Sequence, residues 1–175
     1  MKYHTIDSEL FKENRKRFIA QMKPNSIAIF HSNDEMPRSA DLYHPFRQNP
    51  DLFYLTGIDQ EESFLILYPD SPREEYREVL FLKETNEHIA VWEGHKYTVE
   101  EAQKASSIEM VIWNKDFLTI LNLLMVYAEI VYLNSNENDR AVIGVPYRDL
   151  RFANELRARF PLHQYERSAR IMSKI

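Results

Sequence analysis

The segment 47–58, RQNPDLFYLTGI, constrains the fold more than any other part of this chain. It joins a cation, amides, a proline and aromatic side chains, and it stops at Gly57, the only glycine before Gly94. Aromatic and apolar residues bounded by a glycine predict a strand over 52–56, followed by a turn at Gly57-Ile58-Asp59-Gln60. The segment holds no cysteine, no histidine and no grouping of acids. It therefore reads as a structural signature and not as a catalytic one.

The rest of the chain supplies the partners for that signature. From Asp7 or Ser8, SELFKENRKRFIAQM sets Leu10, Phe11, Phe18, Ile19 and Met22 at helical spacing, with either residue suited to the N-cap. SIAIF predicts a short buried strand over 26–30. A long polar loop over 32–45 carries Pro37, Arg38, Asp41 and His44, and loops of that length are functional or tied down by partners. Further strands are predicted over 63–68, 79–82, 89–92, 110–113 and 130–133. Thr98 with Glu101 in TVEEAQKA makes a capping box at a helix start. Residues 116–128 predict a helix so apolar that most of its surface must be buried. Residues 146–160 predict an amphipathic helix with Leu150, Ala153, Leu156 and Phe160 on one face. A strand meander followed by alternating helices and strands predicts an α/β domain, a mixed sheet with helices on both faces.

Composition narrows the chemistry. At 175 residues the chain suits one domain with one substantial core. It contains no cysteine, which excludes disulfides, thiolate zinc sites and cysteine nucleophiles. A net charge of -5 argues against a broad phosphate-binding surface, so no nucleic-acid partner is expected. The arginines at 148, 151, 157 and 159 are interrupted by Asp149 and Glu155 and read as a solvated helix face. The opening MKYHTIDSELFKENRKRF lacks an apolar h-region and no apolar run reaches membrane-spanning length, so a cytoplasmic protein without a membrane partner is expected.

Local catalytic motifs are missing. The six histidines, at 4, 31, 44, 88, 95 and 163, make no HxH, HExxH or i, i+4 pair, so no metal site is expected within the chain. There is no GxSxG elbow, no P-loop and no glycine-rich dinucleotide turn. Two places keep functional interest. In RSADLYHPFRQN, the charged residues Arg38, Asp41, His44 and Arg47 interleave with Tyr43 and Phe46 on the loop. They suit either a self-fastening salt-bridged loop or a binding surface. In AVWEG, Trp92 suits either a core plug or an exposed anchor at an interface.

FKENRKRFIAQM, IAIF, RSADLYHPFRQNPDLFYLTGI, ESFLILYP, LFLKE and VWEGHKYT occur here in the order found in the N-terminal domain of aminopeptidase P. The chain resembles that family over roughly its first hundred residues; creatinase is much less similar and prolidase shares a looser version. The resemblance implies a three-layer α/β/α domain with a mixed sheet, the creatinase/prolidase N-terminal fold with its ribonuclease H-like motif. It implies a domain over 1–165, with 166–175 starting a linker to a C-terminal catalytic domain. The parent enzyme it implies is a manganese-dependent Xaa-Pro aminopeptidase, which removes an N-terminal residue preceding proline. Its two manganese ions and its catalytic residues belong to the C-terminal domain, so the segment alone is expected to be inactive.

By the same resemblance, the N-terminal half serves homo-oligomer assembly and lines the cleft for a peptide with proline second. Asp41 in RSAD and Trp92 in VWEG are the implied cleft residues, Asp41 to meet the peptide's ammonium and Trp92 to wall the entrance. The sequence departs from the family pattern after Trp92, where His95 and Lys96 stand in place of the usual arginine. Two other readings use the same fold: a free-standing peptide- or protein-binding module, and the N-terminal domain of a prolidase-type dipeptidase. A third, a small hydrolase, needs Asp34, Asp41 and Asp51 to cluster.

Overall fold

The computed structural model describes residues 6–86, 95–135, 144 and 146–175. In chain order its elements are α1 (Ser8–Ile19), β1 (Ser26–His31), β2 (Pro37–Ser39), β3 (Leu42–Tyr43), α2 (Pro50–Thr56), β4 (Phe64–Leu67) and β5 (Glu78–Leu82). There follow α3 (Val99–Ser106), β6 (Met110–Trp113), α4 (Phe117–Met125), β7 (Ile130–Leu133), α5 (Arg148–Arg159), β8 (Gln164–Arg167) and α6 (Ala169–Met172). Among the described residues the main sheet runs β6-β5-β4-β1-β7-β8, and β2 with β3 forms a separate hairpin. β4 is antiparallel to both β1 and β5, whereas β1/β7, β5/β6 and β7/β8 are parallel.

The alternation of side chains along each strand separates two cores. Ile27 and Ile29 of β1, with Ile66, Phe81, Val131 and Leu133, meet α4 and α5 through Leu121, Leu124, Phe152 and Leu156. Ala28 and Phe30, with Leu65, Leu67, Leu80 and Tyr132, meet α1, α2, α3 and α6 through Phe18, Leu52, Leu55, Ala102 and Ile171. β1 is buried at all six positions because it is covered on both faces and paired on both edges. The three layers and the mixed sheet match the sequence expectation.

The strand expected over 52–56 is instead α2, and the cause is its ends. Asn49 Oδ1 accepts from the N–H groups of Asp51 (3.0 Å) and Leu52 (3.4 Å), and Pro50 opens the helix where a missing N–H costs nothing. Gly57 closes it in the left-handed region at φ 72°, its N–H donating to Phe53 O. A Cβ there would lie 2.3 Å from the Phe11 ring, so only glycine lets α1 approach this closely. These start and stop signals outweigh the aromatic content that suggests a strand.

Other expectations need smaller corrections. Asp7, not Ser8, caps α1. α4 is buried along one face only; just past its end Val126 is 77% exposed. α5 buries Phe152 and Leu156, whereas Leu150 lies on its outer side. The 32–45 loop contains the β2–β3 hairpin. Apart from these corrections, residues 166–175 carry the second half of β8 and the whole of α6, with Ile171 buried in the second core. The strand expected over 89–92 lies outside the described residues.

One buried cation ties α1, α2, α3 and β5 together. Arg15, wholly buried, donates to Leu55 O (2.9 Å) at the end of α2 and to Ser106 O (2.8 Å) and Ser107 O (3.1 Å) at the end of α3. Its Nε donates to Glu78 Oε2 at 2.8 Å. The last carbonyls of a helix lack partners within the helix, and one guanidinium serves two such ends here.

Candidate functional site

The sheet has one end where its loops converge. Register pairs His31 with Phe64, Phe64 with Phe81 and Leu82 with Trp113; on the other side Ile29 pairs with Leu133 and Leu133 with Arg167. The carboxyl ends of β1, β5, β6, β7 and β8 therefore lie together with the start of β4. Open α/β sheets bind their ligands outside such carboxyl ends.

The signature segment fastens the loops at this end. Gln48 Nε2 donates to Ile58 O (3.0 Å) and Gln60 O (2.8 Å), while its Oε1 accepts from Asn49 N–H (2.8 Å). Asn134 Nδ2 donates to Asn49 Oδ1 at 3.4 Å, joining α2 to the end of β7. Asn33 Nδ2 donates to Arg47 O at 3.0 Å and closes the base of the 34–46 excursion. Gln48 and Asn49 thus act on backbone, as a structural signature should.

Beyond that base the chain projects as the β2–β3 hairpin. Ala40 turns it at φ 50°, and Asp41 follows at the exposed tip. Met36, Leu42 and Tyr43 are 56%, 60% and 56% exposed, an apolar surface unusual for so short an excursion. The loop is held by Asn33, Asp34 and Gln48; among the described residues Arg38, Asp41, His44 and Arg47 form no salt bridge, which removes the self-fastening reading of that quartet. Trp92 lies outside the described residues. The chain after it returns to the same end of the sheet, where Lys96 pairs with Glu61 and Tyr97 N–H donates to Gln60 Oε1 at 2.8 Å.

Between the hairpin, the 61–62 turn and the starts of α4 and α5 lies a cleft of about 760 Å³, a volume typical of ligand pockets. Phe64 and Phe117, stacked at 4.1 Å, and Phe152 form its apolar floor. Arg148 lies over two of these rings, 5.5 Å from the Phe64 centroid and 6.0 Å from that of Phe152. Asp34 at the rim receives Arg151 Nη2 at 2.7 Å and 2.9 Å.

Sequence reasoning missed the group that seats α5 here. His31, buried at the end of β1, has Nδ1 3.0 Å from Ser32 O and Nε2 3.3 Å from Asp149 Oδ1. Burial pushes the imidazole down to about 4, and burial followed by the nearby Asp51 pushes the Asp149 carboxyl up to about 6. Nδ1–H is held by Ser32 O, while Asp149 Oδ1 is buried and makes no hydrogen bond among the described residues, so the pair meets by proximity at 3.3 Å. No periodicity in the sequence links these residues; only the fold brings them together.

Asp34, Asp41 and Asp51 do not converge. Among the described residues no group of three or more His, Cys, Asp or Glu is placed to hold a metal ion. These residues do not fit a metal centre. No helix among the described residues is long and apolar enough to cross a membrane.

The profile of the family described as "Aminopeptidase P, N-terminal domain" matches residues 11–132. An Xaa-Pro aminopeptidase of Haemophilus influenzae is 31% identical over 116 residues, which cover 66% of this chain and 26% of that protein. The Xaa-Pro aminopeptidase of Escherichia coli is 27% identical over 127 residues, covering 73% of this chain and 29% of that protein. A Bacillus anthracis structure assigned to aminopeptidase P superposes with a TM-score of 0.82 at 26% identity, covering 93% of this chain and 38% of its own. Aminopeptidase PepP of Pseudomonas aeruginosa gives a TM-score of 0.72, also at 26% identity, over 93% of this chain and 36% of its own. The chain thus spans between a quarter and a third of the length of the curated relatives named here. Over the matched core, with its signature segment and three-layer sheet, the chain belongs to the aminopeptidase P N-terminal domain family.

Proposed function

We propose that this domain is the non-catalytic N-terminal part of a manganese-dependent Xaa-Pro aminopeptidase, a metallopeptidase that removes the residue preceding proline. The observation that carries this reading is the family match over 11–132 to a domain whose described residues converge no metal-ligand set. Hydrolysis then belongs to a catalytic domain outside these 175 residues, where the two manganese ions would be held. The present chain contributes a wall of the substrate cleft and a surface for homo-oligomer assembly in the cytoplasm. The unit runs through α6, and the connection to the catalytic domain follows it.

In this reading Asp41, at the tip of a projecting hairpin, meets the ammonium end of a peptide with proline second, and Trp92 walls the same entrance. A carboxylate on an exposed hairpin can reach a partner surface that the sheet itself cannot. The apolar Met36, Leu42 and Tyr43 suit contact with the catalytic domain or a neighbouring copy.

The test begins by reading the coding sequence past Ile175 and assaying its complete product with manganese on an Xaa-Pro peptide. A complete product that cleaves the peptide, beside an inactive 175-residue chain, supports the reading. Cleavage by the 175-residue chain alone, dependent on its own residues, removes it. Within an active product, Asp41→Asn is expected to raise KM for the free peptide about tenfold, the usual loss for a charged hydrogen bond.

A further inference from the structure

The charges around the strand-end cleft pair off until two remain. Asp34 is held by Arg151, Glu61 by Lys96, Glu62 by Lys83 at 3.4 Å, and Glu155 faces Arg159 at 3.8 Å. Glu35, half-buried on the loop after β1, makes no ion pair and no hydrogen bond among the described residues. Arg148, in the first turn of α5, makes neither as well, its guanidinium lying over Phe64 and Phe152. One anion and one cation, on different walls, are thus left facing one cleft with an apolar floor.

We propose that this cleft is a binding site for a short zwitterionic peptide, with the ammonium at Glu35, the carboxylate at Arg148 and apolar side chains on Phe64 and Phe117. A carboxylate that pairs with no cation is disfavoured in a half-buried setting, and an incoming ammonium completes it. Burial, and then the neighbouring Glu61 and Glu62, hold the Glu35 carboxyl above its usual range against the opposing pull of Lys83 and Lys96, so ligand binding should weaken as the pH falls and Glu35 protonates. A guanidinium over aromatic faces keeps its in-plane N–H fork directed outward, the geometry that matches a carboxylate. The cleft, at about 760 Å³, has room for a short peptide. This site is separate from Asp41 and goes beyond the peptidase reading, because it uses this chain alone and needs no proline.

Calorimetric titration of the 175-residue chain with Ala-Leu-Ala tests the proposal, alongside the N-acetylated and C-amidated forms of the same peptide. The free-ended peptide should bind, and either cap should weaken it at least about tenfold. Glu35→Gln should abolish the acetylation penalty and leave the amidation penalty; Arg148→Met, which keeps contact with the rings, should do the reverse. Unchanged urea melts would show that both variants fold. Equal binding of all three peptides, or binding of none, overturns the site. So does the failure of either variant to remove its own penalty, or an acetylation penalty that disappears with Asp41→Asn instead. None of these outcomes bears on whether a complete product cleaves Xaa-Pro bonds, so the two readings fail separately.

Discussion

Residues 36–44 and residues 48–58 are neighbours in sequence and opposites in physics. In the second stretch nearly every polar side chain acts on backbone: Gln48 on two carbonyls, Asn49 on two helix N–H groups, Thr56 Oγ1 on Leu52 O at 2.7 Å. The first stretch projects as a hairpin with its apolar side chains and Asp41 in solvent. The contrast shows that the motif most diagnostic of the family is an anchor. What reaches outward is the less distinctive sequence that the anchor holds in place. If so, substitutions around 48–58 should be read in stability, and substitutions around 36–44 in binding.

The strongest test of the anchored side is Arg15→Ala. It leaves the carbonyls of Leu55, Ser106 and Ser107 without their donor and Glu78 without its cation. Removing one member of a buried charged network typically costs roughly 3–5 kcal/mol. Urea unfolding should show a loss of that order for Arg15→Ala and almost none for Arg38→Ala on the exposed hairpin. Equal losses would erase the contrast between the two regions.

The His31–Asp149 pair lies between the regions, and its pH behaviour sharpens the comparison. The folded value of His31 is depressed, so its stabilising effect is whole above the unfolded 6.5 and is lost as pH falls towards about 4. Asp149 is raised, so its effect is whole below the unfolded 3.8 and is lost as pH rises through about 6. The two losses run in opposite directions across one window. Near pH 5 the native and unfolded states each hold about one proton on the pair, so the wild-type chain gains almost no pH slope from it. Asp149→Asn should uncover the histidine, with stability falling roughly 2–3 kcal/mol between pH 6.5 and pH 4. Urea melts across that range check it; a variant as flat as wild type would show that Asp149 does not offset the histidine.

How much of this was legible depended on where the deciding contacts lie in the chain. β1, β4, β5 and β7 are short apolar runs whose burial is local to their own sequence, and the capping box at Thr98 forms as its spacing requires, with both reciprocal bonds near 3 Å. α2 is not legible from the aromatic and apolar content of 52–56, which suggests a strand; its identity lies in Asn49-Pro50 at one end and Gly57 at the other. Those residues spell a helix start and stop, and the signal was present. Asn49→Ala should cost about 1–2 kcal/mol in a urea melt, the range of a good N-cap; a neutral result would return the segment's stability to packing alone. β8 was harder to see, since QYER is a short edge strand with half-exposed side chains and almost no apolar alternation. The Arg15 network, His31–Asp149 and the Glu35–Arg148 cleft were not legible at all. Each joins residues far apart in sequence, and none has a spacing of its own.

The smallest expected effect is the most discriminating. Leu42→Ser and Asp41→Asn replace exposed side chains that make no hydrogen bond or ion pair among the described residues, so each should shift stability by no more than about 0.5 kcal/mol. Leu42→Ser should even leave the melt sharper if exposed apolar surface promotes self-association on heating. A loss near that of Asn49→Ala would mean that the hairpin is a working part of the core, and its exposure would need another explanation. Neutral melts combined with a changed oligomer mass for Leu42→Ser, read by light scattering, would instead identify the hairpin as the surface through which the anchored domain meets a partner. The same neutrality protects Asp41→Asn as a functional probe. Only a residue that leaves the fold unchanged can attribute a lost contact to the peptide rather than to the scaffold.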